Sequence, residues 1–337
     1  MTTLVALSTK DSLVMGCDSL ASVTKPLVNP WDLREFFDDD FNIKTDDEGK
    51  PILNNFRQIY GKTEEVPYDH MTHVNKLCSL EPLPMGVMAT GIASIGDSTV
   101  RSLISEFKKS DGGFKDPDRL TNFAVKSVAE RMLKFIRSRY DNKYPKEGYR
   151  PYLELIIGGY NKQPQIPSIH RIMVHDDELR PTITDFGAVF GGEMCEIQRI
   201  VFGTDSANRS KLRKRSEELL AKYHQILSEH IGANNIQVEL PKPEQYTDQL
   251  DLFSDDWDLD GFTARLEDFS EQNAIECVDF FIDIMIKSQQ FSARLPVVGG
   301  EKHIAIITKR DGFRFVSEEK LRHGEHAIPI EEETKKQ

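Results

Sequence analysis

Apolar residues fill positions 4–7 and 13–17, on either side of a polar tip at 8–12. Two short apolar runs around a polar turn predict a β-hairpin with both strands largely buried. The pair Asp18-Ser19 closes the second run. Beyond it the pattern lapses. Residues 21–73 are polar, carry Asp38-Asp39-Asp40 and Asp46-Asp47-Glu48-Gly49, and are broken by Pro26, Pro30, Pro51 and Pro67. This reads as an inserted, irregular surface segment with little core of its own, docked through Phe36, Phe37, Phe41 and Phe56. Strand pattern returns at 72–80 and, after a turn at Pro82 and Pro84, at 85–91.

Helical spacing follows. Val100, Leu103, Ile104 and Phe107 mark one helix, and Phe123, Val125, Val128, Met132 and Phe135 mark another over 117–140. Residues 153–161 read as a buried strand, with further strands at 168–174 and 183–190. A long helix is expected at about 206–231, with Leu212, Leu219, Leu220, Tyr223 and Ile226. Residues 235–268 look like an acidic loop. A last helix at about 271–290, strands at 302–308 and 313–316, and a charged tail at about 325–337 complete the chain. Helices fall in pairs between groups of strands. That order favours an α+β fold of two antiparallel sheets with helices outside, one domain over 1–337 with insertions at about 21–73 and 206–268.

Composition narrows the classes. The chain has 337 residues, 39% hydrophobic and 29% charged, as in a globular protein with one large domain or two ordinary ones. A net charge of −12 argues against bulk nucleic-acid binding. Cys17, Cys78, Cys195 and Cys277 have neither metal-ligand nor disulfide-framework spacing, which reads as a reducing cytoplasm. No apolar run reaches ~18 residues, so no membrane span is expected. The N-terminus has no basic stretch before an apolar core, so no signal peptide is expected.

The chemistry begins at Thr2. A small residue behind Met1 would allow removal of that methionine, leaving Thr2 with a free α-amino group beside its own hydroxyl. A threonine hydroxyl is a weak nucleophile until a base takes its proton. An α-amino group titrates near ~7.7–8.0, so part of it is neutral at working pH and can serve as that base. A buried strand starting at once would hold the pair rigidly.

The start Thr2-Thr3-Leu4-Val5-Ala6 resembles the mature start of catalytic subunits in the proteasome family of N-terminal threonine peptidases. Asp18-Ser19 lies sixteen residues after Thr2, as the family's Asp-Ser lies after its nucleophile. Val74-Asn75-Lys76-Leu77 looks like the family's catalytic-lysine strand. Gly86-Val87-Met88-Ala89-Thr90-Gly91-Ile92-Ala93 is similar to the Gly-x-Met-Ala-Gly-Gly-x-Ala stretch that follows it. Gly158-Gly159-Tyr160-Asn161 resembles the family's Gly-Tyr-Asp strand end, and the stretch from Asp185 to Gly192 sits where its Gly-Ser-Gly segment lies.

The resemblance implies a four-layer αββα fold of the N-terminal nucleophile type. It implies Thr2 as nucleophile, its α-amine as base, Lys76 and Asp18 as electrostatic support, and a backbone N–H at Thr90 or Gly91 as oxyanion donor. It also implies a first specificity pocket lined by Ala21, Val74, Cys78, Met88 and Ile92, which would favour apolar side chains. No cofactor and no metal are implied. The implied setting is a cytoplasmic homo-oligomeric ring acting on peptide or unfolded protein, with an ATPase as a candidate regulator.

Two stretches depart from the family pattern. Gly191-Gly192-Glu193 stands where a serine is usual. Leu295-Pro296-Val297-Val298-Gly299-Gly300 stands where the family has Asp-x-x-Ser-Gly-Gly. Two other readings therefore stand beside the peptidase: a catalytically silent structural or binding subunit of such a ring, and an amidase acting on a small amide.

Asp256-x-Asp258-x-Asp260-Gly261, with Glu267 twelfth in the run, fits a calcium-loop template. Thr263 departs from it, and a solvated acidic loop is the plainer account. Lys211-Leu212-Arg213-Lys214-Arg215 reads as a solvated helix face or a ring contact. His70 and His73 flank the Lys76 strand without a third ligand, so no metal site is expected there.

Overall fold

The computed structural model of the chain describes residues 2–28, 30–38, 40–53, 63–110, 113–115, 118–146, 150–183, 186–202, 206–233, 266–292 and 295–317. Met1, Asp185, the calcium-like run up to residue 265 and the expected tail lie outside the described residues.

The expected hairpin is β1 (Thr3–Ser8) and β2 (Ser12–Asp18), buried at every residue. Thr9 shapes its tip, where its hydroxyl accepts from the N–H groups of Asp11 and Ser12. There follow β3 (Ala21–Val28), β4 (Thr63–Met71), β5 (Leu77–Ser79) and β6 (Met85–Gly91). Two-residue strands β7 (Ser94–Ile95) and β8 (Ser98–Thr99) lead into α1 (Val100–Lys109), α2 (Asp118–Thr121) and α3 (Val125–Lys143). The chain continues through β9 (Leu153–Tyr160), β10 (Pro167–Met173), β11 (Glu178–Ile183), β12 (Gly187–Gly192), α4 (Cys195–Phe202) and α5 (Ser206–Ala233). It closes with α6 (Glu271–Gln290), β13 (Lys302–Thr308) and β14 (Gly312–Ser317).

Two antiparallel five-stranded sheets result, in the orders β12-β1-β2-β13-β14 and β11-β10-β9-β6-β5. Alternation along each strand sends neighbouring side chains to opposite faces. Leu4, Ala6, Leu13, Met15 and Cys17 of the first sheet share a core with Leu77, Met88, Ile156 and Ile169 of the second. On its other face the first sheet packs Val5, Leu7 and Val14 against Val278, Phe281 and Ile282 of α6. The second sheet packs Val87, Leu155 and Ile157 against Leu103 and Phe107 of α1 and Val128 and Met132 of α3. Strands covered on both faces read as unbroken apolar runs, which is why the hairpin was so clear in sequence.

Four expectations change. The segment 21–73 is not irregular at its two ends: Ala21–Val28 and Thr63–Met71 pair as a two-stranded ribbon, β3 with β4, with a register shift between Val23 and Thr24. Its prolines obscured it. In a two-stranded ribbon both strands are edges, where a missing N–H is tolerated. The expected strand at 72–80 is ordered as β5 only over Leu77–Ser79. The helix at 117–140 is broken into α2 and α3, and the Val125 N–H at the start of α3 donates to Asn161 Oδ1 at 2.9 Å. Finally, 183–190 is not one strand. It belongs to two sheets, β11 to the second and β12 to the first, with Gly187 at φ 146° opening β12.

Candidate active site

Pairing of Leu4 with Cys17 puts the start of β1 beside the end of β2. There the Asp18 carboxylate, fully buried, accepts the Thr3 N–H at 3.0 Å and Lys76 Nζ at 3.2 Å on Oδ1. Its Oδ2 accepts the N–H groups of Leu20 at 3.2 Å and Gly299 at 3.1 Å, and Lys76 Nζ again at 3.2 Å. Burial pushes this carboxyl above its ordinary value of 3.8, and Lys76, then the N–H groups of Gly299 and Thr3, pull it back. Every contact is a donor. A proton on either oxygen would have no acceptor to face, so the shell fits the carboxylate.

Lys76 is 8% exposed. Its Nζ also donates to the Leu20 carbonyl. Its backbone is fixed by the Ala89 N–H, which donates to the Lys76 carbonyl at 3.1 Å, and its segment by the Val74 N–H, which donates to the Ser19 carbonyl at 3.0 Å. The two segments that carry Asp18 and Lys76 are thus tied by backbone as well as by charge.

The other side of Thr2 and Thr3 is closed by β12 and its exit. Thr3 Oγ1 donates to the Glu193 carbonyl at 2.8 Å. The Glu193 N–H donates to the Thr2 carbonyl at 2.8 Å. Gly192, at φ 68°, could not be another residue: a methyl group there would lie 1.8 Å from the Thr2 carbonyl oxygen and 2.9 Å from Thr90 Oγ1. Thr2 and Thr90 are both buried and meet around that glycine.

Thr90 and Gly91 differ as N–H donors. Bonds from Tyr160 N–H to the Pro84 carbonyl and from Ile92 N–H to the Tyr152 carbonyl bracket the β6–β9 ladder. In an antiparallel pair the hydrogen-bonded positions alternate. Thr90, opposite Glu154, therefore spends its N–H on β9. Gly91, at φ 104°, turns its N–H to the side on which Ala89 bonds Lys76.

The five expected pocket residues do not line one pocket. Ala21 and Val74 are half-buried beside the Asp18 and Lys76 segments. Met88 points between the sheets with Leu77, its partner on β5. Cys78 pairs with Val87, so alternation turns it to the opposite face, where it and Ile92 pack against the α1 and α3 core. The expectation treated neighbouring positions as one surface, and the two-residue repeat of the strands separates them.

Several groups had no signal in the residue pattern, because they act through the backbone: the Leu20 carbonyl, the Gly299 N–H and both backbone groups of Glu193. The stretch 295–300, which lacks the family's acid and hydroxyl, still wraps this corner. The Leu20 N–H donates to the Gly299 carbonyl at 2.9 Å, and the Glu301 N–H donates to Ser19 Oγ at 2.8 Å. His70, read as a non-ligand, faces the Pro296 carbonyl through Nε2 at 2.6 Å. Among the described residues no group of three or more His, Cys, Asp or Glu could hold a metal ion. No helix among them is long and apolar enough to cross a membrane.

No family model and no curated protein matches this chain. Among solved structures it is similar to an Anbu (Gly-1) mutant from Hyphomicrobium sp. strain MC1, at 10% identity and a TM-score of 0.46, over 95% of this chain and 86% of that one. It is similar likewise to Anbu (ancestral beta-subunit) from Yersinia bercovieri, at 10% identity and a TM-score of 0.46, over 94% and 88%.

Proposed function

We propose that this chain is an N-terminal threonine peptidase, with Thr2 as nucleophile once Met1 has been removed. One observation carries the reading: the buried Asp18 carboxylate holds the Thr3 N–H and the Lys76 ammonium together. A fixed positive charge next to the first residues of a rigid strand favours an alkoxide and disfavours a proton on a nearby amine.

In this reading Thr2 Oγ1 attacks the peptide carbonyl while the Thr2 α-amine takes its proton. The oxyanion is met by a backbone N–H of the β6 end, and the direction of the Gly91 N–H favours Gly91 over Thr90. The amine returns the proton to the leaving nitrogen, and water then hydrolyses the ester on Thr2. The helix-covered outer faces and the shared core between the sheets support the four-layer αββα arrangement. The four free cysteines support a reducing cytoplasm. An oligomeric ring of like subunits acting on unfolded peptide belongs to the same reading.

A silent ring subunit is the second reading. It is favoured by the stretch 295–300, whose contacts to Asp18 and Leu20 come from Gly299 backbone groups alone. A peptide epoxyketone separates the two, because its ring adduct needs both the hydroxyl and the free amine. The expected result is one adduct, mapped to Thr2 by mass spectrometry and absent from Thr2→Ala. A protein that lacks Met1 yet forms no adduct is the silent subunit. An adduct that survives Thr2→Ala removes the nucleophile assignment.

A further inference from the structure

We propose that the β3–β4 arm of one copy of this chain seats on helix α5 of a second copy, in a head-to-tail contact. Among the described residues, neither the arm nor this helix packs extensively on another element of the same chain. Among the described residues β3 and β4 pair as strands only with each other. The base of the arm is held to the body through Ser22 and His70 at the Pro296 carbonyl, and a two-stranded ribbon is marginal in water without cover. Helix α5 is 28 residues long, yet among the described residues it packs extensively on no other element.

The two surfaces also complement each other. At the head of the arm the Asp38 carboxylate accepts the N–H groups of Asp40 and Asn42, and Asp46 accepts those of Glu48 and Lys50. These turns lift Phe41 out at 86% exposure, with Ile43 and Leu27 also exposed. Residues 29–53 hold eight acidic and three basic residues. On α5, Leu212, Leu219, Tyr223 and Ile226 are exposed, Tyr223 to 66%. Their spacing of seven, four and three keeps them on one stripe. Helix α5 carries six basic and three acidic residues, with Lys211, Arg213, Lys214 and Arg215 exposed along its first half. An apolar knob in an acidic surround thus faces an apolar stripe in a basic one.

Charge also disfavours two of the symmetric alternatives. Arm on arm sets acid against acid. Parallel α5 on α5 sets the 211–215 cluster against itself. Two different patches on each copy make a heterologous contact, which closes into a ring or runs on as a filament. This extends the assembly part of the proposed function and does not depend on Thr2.

The test is complementation. By light scattering at micromolar concentration, the wild type should run several-fold heavier than the 38.5 kDa chain. Phe41→Asp and Leu219→Glu should each run as a single chain. Mixed in equal amounts they should form a particle of two chains and no more, because each supplies the surface the other lacks. Matching thermal melts by circular dichroism would show that both variants are folded. Should Phe41→Asp fold poorly, the paired reversal Asp46→Lys and Asp47→Lys on the arm serves instead. A mixture that stays monomeric, or either variant keeping the wild-type mass, overturns the contact. In the second case an assembly through other surfaces still stands. Thr2→Ala should assemble like the wild type.

Discussion

Asp18 and Glu154 are both fully buried carboxylates paired with a cation, but the protein treats them differently. Asp18 is reached from four separate parts of the chain, the farthest being Gly299, 281 positions away. Three of its donors, from Thr3, Leu20 and Gly299, are backbone N–H groups. Among the described residues, the Glu154 carboxylate is hydrogen-bonded from its own sheet region, by Arg171 Nε at 2.6 Å and by the Tyr152 hydroxyl. Burial, then the charge of Glu154, raises that tyrosine above its ordinary 10.0. A backbone donor stays when a side chain is removed. Asp18 can therefore lose its lysine and remain solvated by the fold, whereas Glu154 without its arginine keeps one hydroxyl. The contrast separates a cation that the fold can spare, and that chemistry can use, from one that the fold requires.

The largest expected effect is on turnover. Lys76→Ala should lower kcat by at least about 10²–10³-fold, the size typical of losing one group that stabilises transition-state charge. Peptide hydrolysis assays of the purified variant decide it. Near wild-type turnover would mean that the Lys76 segment is not part of the site. Asp18→Asn should cost less, because Lys76 keeps the Leu20 carbonyl.

Stability should rank the other way. Arg171→Ala strands a buried charge and should cost about 3–5 kcal/mol. Lys76→Ala should cost only about 1–3 kcal/mol, the penalty of one incompletely met polar group. Urea unfolding of the two variants side by side measures the gap. If Lys76→Ala proves the more destabilising, the backbone shell around Asp18 does not do what its geometry suggests.

The sequence made the Asp18 corner legible and the Glu154 pair illegible, for a physical reason. Residues 4–7 and 13–17 are two apolar runs around a polar tip, with the polar pair Asp18-Ser19 at the end of the second, and Lys76 precedes a further short apolar stretch. Buried strands are easy to see, and a charge at the end of one is conspicuous. Glu154 sits inside a run, Leu153-Glu154-Leu155-Ile156, and only its cross-strand partners show why a charge is tolerated there. The pocket failed because strand faces depend on register, and register is set by pairing, as with Cys78 and Val87. The β3–β4 ribbon failed because its prolines suppress the usual strand signal.

A third buried polar group extends the comparison to a neutral side chain. His170 is 3% exposed on β10. Its Nε2 meets Ser168 Oγ at 2.8 Å, while its Nδ1 is buried without a hydrogen-bond partner. Burial, then the charge of Lys126 on α3, holds this imidazole below its ordinary 6.5, and Glu130 on the same helix opposes that only in part. The folded protein thus keeps His170 neutral at a pH where the unfolded chain protonates it. Unfolding then takes up a proton, so stability falls as pH drops. The His170 contribution should be constant above the ordinary value of 6.5. Below it, stability should fall by up to about 1.4 kcal/mol per pH unit until the folded form also protonates. His170→Gln removes the titration and keeps a polar group for Ser168. Urea midpoints of both proteins from pH 8 down to pH 5 should therefore converge as the pH falls. Midpoints that stay parallel across that range would place the acid sensitivity of the fold elsewhere.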